Sequence, residues 1–393
     1  MNVRDGADSI YRFIERTAEH VPEGCRWQTI NYQNKPHYHY NAFNGCGGIG
    51  VFLAEYGRVT GSDQAVELAR EANRWCSTVE EGRYDPHHGA CKRGLLTGRT
   101  GVALSWVYLA RITQESVSTH ATENADIILQ EDPGPVTDLM GGAASNGLYL
   151  LRLWEATEEP RFLEGARRNG TWLCDQLVRD EDGCHCLCGP RESFGDRPFF
   201  GVAHGISGVA HFLLLLHAAT GEIGWADVVR EILATLEGCA IEDRGGLNWS
   251  QVLGEAEIGR CQWSHGAPGI GIVFLKAAQV LGEPRYREIA VKAGETTYAY
   301  GDFRSNITQC IGLSGSGELF LELYRDSQGD LWLQRAQEFA DLAMEYRAAL
   351  PEGDAWPTDE PGLYSADFIY GASGLGYYFL RVMEPTALSM PFM

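Results

Sequence analysis

The chain has 393 residues, with 53 acidic against 32 basic side chains and a formal net charge of −21. That balance, with no basic cluster, offers no electrostatic footprint for a phosphate backbone and argues against a nucleic-acid partner. Glycine is over-represented at 47 residues, against about 7% of an average chain, while 11 cysteines lie scattered without disulfide-type spacing.

In chain order, the first twenty residues carry neither the basic start nor the apolar core of a secretion signal. No apolar run reaches the roughly 18 residues that span a bilayer. The expectation is a cytoplasmic chain with reduced thiols and no membrane partner. Ser9 to His20 reads as an amphipathic helix. A Gly-x-x-Gly turn followed by an apolar run then recurs at Gly47, Gly98, Gly142 (with Ser145 as its second member), Gly205, Gly266, Gly312 and Gly371.

Each run, such as VAHFLLLLHAATG or IVFLKAAQVLG, is apolar on nearly every side, as expected of a helix buried all round. Most are followed by a stretch with one-sided helical periodicity: DQAVELAREANRWC, PRFLEGARRNGTWLCDQL, WADVVREILATLEG, PRYREIAVKAGETTYAY and LWLQRAQEFADLAMEY. The repeat is thus an inner buried helix paired with an outer amphipathic one. The last inner helix lacks a following partner, and the N-terminal helix supplies it. The fold class predicted is all-α, an α/α toroid of seven inner and seven outer helices forming one domain over 1–393. Parallel inner helices would gather their N-termini, with unpaired N–H groups, at one mouth. Glycine would be needed there for crowded loops and for positive φ.

These turns resemble those of the lanthionine synthetase C-like family, cyclases that add cysteine thiols to dehydroamino acids in peptides. The resemblance is most specific in DLMGGAAS, FGVAHGISGVA, RCQWSHGAPG and QCIGLSG. It implies a histidine acid/base at His204, with Asp138 orienting it or deprotonating the thiol and Arg260 organising the site or holding the enolate. His265 is a further catalytic candidate. Two of the implied zinc ligands are replaced: Ser264 stands for a cysteine and Ile311 for a histidine, which leaves Cys310. No cofactor is therefore expected, and zinc least of all; a displaced metal site from Cys261, Cys310 and His265 is the weak alternative. Trp263, Ser264, Cys310 and Trp249 are candidate substrate-binding residues, the two tryptophans as parts of a cavity wall.

Without a metal, a histidine near pKa 6.5 would have to activate a thiol near 8.5, a gap of about 2.7 kcal/mol that positioning can cover. Plain structural readings stand beside these roles. Asp138 could cap a helix, Arg260 could pair with Glu255 or Glu257, and His265 could pack on Trp263. The run Cys184-His185-Cys186-Leu187-Cys188 invites a metal reading, but it lacks the spacing of structural zinc sites and reads rather as a loop with partly exposed thiols that could border the mouth. The function expected is thioether formation on a dehydrated precursor peptide, with a separate kinase, lyase or decarboxylase as candidate partner proteins. A peptide-binding scaffold and another α/α-toroid enzyme, such as a glycosidase or terpenoid cyclase, are the rival readings.

Overall fold

The computed structural model describes residues 2–31, 33–79, 93–190, 195–301, 306–351 and 353–393. Among them are fourteen helices: α1 (Val3–Arg16), α2 (Cys46–Thr60), α3 (Asp63–Thr78), α4 (Arg99–Thr113), α5 (Thr119–Gln130), α6 (Ala143–Thr157), α7 (Pro160–Asp175), α8 (Ile206–Thr220), α9 (Ile223–Gly238), α10 (Ala267–Leu281), α11 (Pro284–Tyr300), α12 (Leu313–Ser327), α13 (Asp330–Glu345) and α14 (Ala372–Met383). The chain forms two compact units. One comprises Met1–Lys92, Leu96–Asn124 and Asp302–Phe392; the other comprises Arg93–Leu95, Ala125–Gly301 and Met393.

In the first unit, α2, α4, α12 and α14 are the apolar inner helices. α2 packs on α4, α14 packs on α2 and α12, and α1 lies along α14 as its outer partner. The N-terminal segment therefore completes the last pair, although the helix begins at Val3, six residues before Ser9. Arg381 of α14 is fully buried between Glu318 and Glu322 of α12 and donates to the Leu388 carbonyl, so one guanidinium ties two inner helices to the C-terminal segment. In the second unit, α6, α8 and α10 are the inner helices and α7, α9 and α11 their outer partners.

Every inner helix starts at a glycine N-cap: Gly45, Gly98, Gly142, Gly205, Gly266, Gly312 and Gly371. The first turn is therefore set by Gly45 and Gly48 rather than by Gly47. Only Gly266 has positive φ (116°); the other six caps are extended, so left-handed backbone is not the general reason for glycine. The general reason is close approach. The loops before five of these helices fold back so that the first helical N–H donates to a carbonyl seven residues upstream: Cys46 to His39, Ala143 to Val136, Ile206 to Phe199, Leu313 to Asn306 and Ala372 to Ser365; at the Gly266 cap Ala267 donates instead to the Asn248 side-chain oxygen. A Cβ on Gly45 would lie 2.6 Å from the His39 oxygen. These carbonyls occupy N–H groups that a helix start otherwise leaves unpaired, which corrects the expectation of open N-termini.

Backbone hydrogen bonds also join one turn loop to the next. In the first unit, Gln309 donates to Ile369, Ile369 to Phe43 and Phe43 to Leu96; in the second, Ala203 donates to Ser264. Within each unit the glycine turns accordingly lie together at one end of the inner helices.

Short antiparallel hairpins, absent from the sequence reading, follow four outer helices: Glu19–Val21 with Gly24–Arg26, Val178–Asp180 with Gly183–His185, Ile241–Asp243 with Gly246–Asn248, and Ala348–Leu350 with Gly353–Ala355. After three of them a buried tryptophan turns back to the outer helix, donating its indole N–H to a carbonyl thirteen residues earlier: Trp27 to Ile14, Trp249 to Leu236 and Trp356 to Ala343. Each bond lands on a carbonyl in the last turn of its outer helix, where the i+4 N–H partner is missing. Cys186 holds the corresponding place after the second hairpin.

Candidate functional site

The candidate site lies in the second unit and is assembled from the loops before α6 and α8 and from the exit of the second hairpin. Asp138, four residues before the Gly142 cap, uses one oxygen to accept the Gly141 N–H at 2.8 Å. Its other oxygen, Oδ2, lies 2.7 Å from Nδ1 of His204. Asp138 is 1% exposed, whereas the His204 side chain is 35% exposed, so a buried carboxylate holds a ring that reaches solvent. Cys188 joins them: its thiol donates to Asp138 Oδ2 at 3.1 Å and lies 4.0 Å from His204 Nδ1. The position is pinned by Thr137, whose N–H donates to the Cys188 carbonyl at 2.8 Å and whose hydroxyl donates to the Leu187 carbonyl at 3.0 Å.

The sequence marks Cys188 only as one of three thiols in the Cys-x-Cys-x-Cys run and does not set it apart from the other two. All three thiols are buried, which corrects the expectation of partial exposure. Cys184 lies on the hairpin, Cys186 takes the tryptophan place, and Cys188 follows two residues later beside the glycine turn. Burial pushes the Cys186 thiol up to about 12, and it donates weakly to the Thr137 hydroxyl.

His265 stacks near His204, with ring centroids 6.1 Å apart and planes inclined by 28°. It is buried, and its Nδ1 has no hydrogen-bond partner. Burial first, then the charges of His204, Arg260 and Arg197, lower its pKa to about 3, so it is a neutral ring at ordinary pH. Phe199 is its tilted ring neighbour. Gly201 makes the close approach possible, since a Cβ there would lie 2.6 Å from His265 Nδ1. Arg260 is exposed and near enough to act on His265 electrostatically. Glu255, one of its expected partners, pairs instead with Arg197 at 2.9 Å.

Trp249 and Trp263 are each 1% exposed. Trp249 donates to the α9 carbonyl of Leu236 and stacks on Phe274; Trp263 donates to the sulfur of Met393. Both indoles are satisfied in the core, which corrects their placement in a cavity wall. Burial, with Thr297 and Asp243 nearby, pushes the Cys261 thiol up to about 12, and among the described residues it does not join the ligand atoms that converge on His204.

The three positions that the resemblance assigns to zinc carry Ser264, Cys310 and Ile311. Ser264 Oγ is buried with no hydrogen-bond partner, Ile311 has no donor atom, and Cys310, in the first unit, interacts with Tyr370, whose hydroxyl is held far above its ordinary range by burial and by this thiol. One thiol and one hydroxyl do not fit a zinc that needs three protein ligands, and no step is routed through such a metal. Among the described residues, the groups whose ligand atoms come within 4.8 Å of one another are Asp138, Cys188 and His204, and His20, Cys25 and Glu71.

Paired inner and outer helices with glycine-capped inner starts define an α/α toroid. The chain belongs to the lanthionine synthetase C-like family, whose sequence profile matches residues 36–393. Nisin cyclase is similar in structure, with a TM-score of 0.65 at 17% identity over 96% of this chain and 93% of that one. An α-mannanase of Bacteroides thetaiotaomicron shares the fold with a TM-score of 0.55 at 10% identity, over 97% and 95% of the two chains. In sequence, the chain is 27% identical over 193 residues to the glutathione S-transferase LANCL1 of Danio rerio, covering 49% of this chain and 45% of that protein. It is 31% identical over 157 residues to the LanC-like protein GCL1 of Arabidopsis thaliana, covering 40% and 35%. The matches thus span less than half the length of these curated relatives. No helix among the described residues is long and apolar enough to cross a membrane.

Proposed function

We propose that this chain adds a thiol across an activated carbon–carbon double bond, and that its substrate is a dehydrated precursor peptide whose cysteine closes a thioether ring. The observation that carries the reading is the 2.7 Å contact between the buried Asp138 carboxylate and Nδ1 of the half-exposed His204. A carboxylate on Nδ1 fixes the ring's orientation and tautomer and turns Nε2 toward the reactants. Nε2 takes the thiol proton, the thiolate attacks the β-carbon, and the proton returns to the α-carbon of the enolate. The addition is balanced, with one S–H added across one C=C and no co-reactant consumed.

The neutral His265 serves as a wall behind His204 rather than as a proton source. Arg260 supplies positive charge near the developing enolate. No zinc at Ser264, Cys310 and Ile311 takes part in this reading. The name of the Danio rerio relative, a glutathione S-transferase, describes another transfer of a thiol to an electrophile.

The test incubates the protein with a dehydrated, cysteine-containing peptide and follows free thiol by alkylation and mass spectrometry, with glutathione as a competing thiol. Loss of free thiol without a mass change is expected, and His204→Ala should reduce its rate at least 100-fold. Tight peptide binding with unchanged thiol would favour a scaffold. Cyclisation insensitive to His204→Ala would overturn the mechanism.

A further inference from the structure

We propose that Asp138, Cys188 and His204 form a binding site for a thiophilic divalent cation such as zinc, and that occupancy of this site switches off proton transfer by His204. The site shares no residue with Ser264, Cys310 and Ile311, and it does not rest on the identity of the substrate.

Three observations carry it. First, a sulfur, a nitrogen and a carboxylate oxygen converge within 4.8 Å of one another, a donor set suited to a borderline cation. Their separations are 2.7 Å for nitrogen to oxygen, 3.1 Å for sulfur to oxygen and 4.0 Å for sulfur to nitrogen. Tetrahedral zinc with bonds of about 2.0 to 2.3 Å places its ligands roughly 3.3 to 3.6 Å apart. The three atoms bracket that range and reach it with shifts of about half an ångström.

Second, the donors come from three loops that are each fixed independently of a metal. Thr137 holds the Cys188 backbone, Gly141 holds the far oxygen of Asp138, and the Ile206 N–H bond to the Phe199 carbonyl at 3.0 Å closes the turn that carries His204. The Gly141 bond also orients the ligating carboxylate, the usual task of an outer-shell partner. Third, Asp138 and Cys188 are buried while the His204 side chain reaches solvent, so a cation would approach the donors from the imidazole side.

The chemistry of loading conflicts with the acid/base role. The Cys188 thiol must lose its proton to become a ligand, and that proton leaves to solvent. The Nδ1 lone pair must face the metal, which moves the ring proton to Nε2. With Nε2 protonated and Asp138 engaged by the cation, His204 cannot accept a proton from a substrate thiol. Cys188 thereby gives the site a sensor for free metal, and bound metal is inhibitory.

The test titrates metal-stripped protein with Co²⁺, whose thiolate charge-transfer and ligand-field bands report the ligands directly. One Co²⁺ per chain with a thiolate band, displaced by Zn²⁺, is expected. Cys188→Ser should abolish that band and weaken binding at least 10-fold, and His204→Ala should weaken binding to a similar extent. Cys310→Ser and Cys186→Ser should leave the band unchanged, and circular dichroism and thermal unfolding of each variant control for folding. Absence of a thiolate band in the native protein, or its persistence in a folded Cys188→Ser variant, would overturn the proposal. The absorbance is read without any substrate, so a failed cyclisation assay leaves this test intact.

Discussion

His211 offers a direct measurement of what burial does to a histidine in this fold. It sits on α8, 2% exposed, and neither ring nitrogen has a hydrogen-bond partner. Burial, reinforced by the positive charges of Lys276 and Arg152, lowers its pKa to about 3. The unfolded chain keeps a histidine near 6.5, so between about pH 6.5 and 3 it is the unfolded state that binds the extra proton. The contribution to stability is therefore complete above pH 6.5 and is lost as pH falls, at about 1.4 kcal/mol per unit. From pH 7 to pH 5 the loss from this residue is about 2 kcal/mol. His211→Leu removes the titration and two orphaned polar atoms at similar volume. At pH 7 the variant should equal the native chain or gain about 1–3 kcal/mol. At pH 5 its relative advantage should be about 2 kcal/mol larger. Denaturant unfolding at both pH values, followed by tryptophan fluorescence, gives the comparison. The buried Asp367 carboxyl, raised to about 6 by burial, contributes with the opposite sign, but it is common to both proteins and cancels. Parallel stability–pH curves for the two would refute the reasoning.

Arg381→Met leaves the fully buried Glu318 without its cation and should cost about 3–5 kcal/mol in chemical unfolding, with much of the loss recovered in the double variant with Glu318→Gln. Gly312→Ala drives a Cβ into the Asn306 carbonyl and should cost about 1–3 kcal/mol, whereas Gly238→Ala, at an open position ending α9, should be neutral or slightly stabilising in the same assay. Asp138→Asn keeps an oxygen for the Gly141 N–H but loses the negative charge facing His204. Its unfolding midpoint should hardly move, while the rate of thiol consumption should fall by about 100-fold or more.

Much of the fold was legible because its main signal is periodic. Inner helices such as LYLLRLWEATE have no polar face to hide, and the glycine pair before each marks where the chain must pass a carbonyl closely. The two-residue misplacement of the first turn arose because GCGGIG offers glycines in both registers, and only the carbonyl of His39 selects Gly45. α5, in THATENADIILQ, lacks a strong apolar stripe, so its sequence does not mark an outer helix as the others do. The hairpins leave no periodic signal because three-residue strands are too short to alternate visibly. Their turns nevertheless carried a mark, with Arg244 and Gly245 both at positive φ between Asp243 and Gly246. At the site, Asp138 and His204 were found through resemblance. Cys188 stands out only as one of three thiols in its run, because what sets it apart is a hairpin exit that no local pattern announces.

The residue four places before the glycine cap shows how a repeated scaffold gathers a carboxylate, a thiol and an imidazole at one place. In the first repeat that residue is Asn41, which accepts the Asn44 N–H; in the sixth it is Thr308, which accepts from Ile311; in the seventh it is Asp367, which accepts from Tyr370 and Gly371. All three perform the same turn-closing task as Asp138, and a neutral oxygen suffices for it. Asp367 makes the contrast sharp, because its other oxygen is taken up by Ser365 and, among the described residues, no histidine bonds to it. A carboxylate at this position is thus neither unusual nor by itself a sign of catalysis. What distinguishes the third repeat is that the next glycine turn brings His204 to its second oxygen and the hairpin brings Cys188. In the fourth repeat the same position is Gly201, whose missing side chain admits His265 behind His204. One structural position is thus filled differently in adjacent repeats: a carboxylate where a histidine arrives, and no side chain where the neighbouring ring must pass.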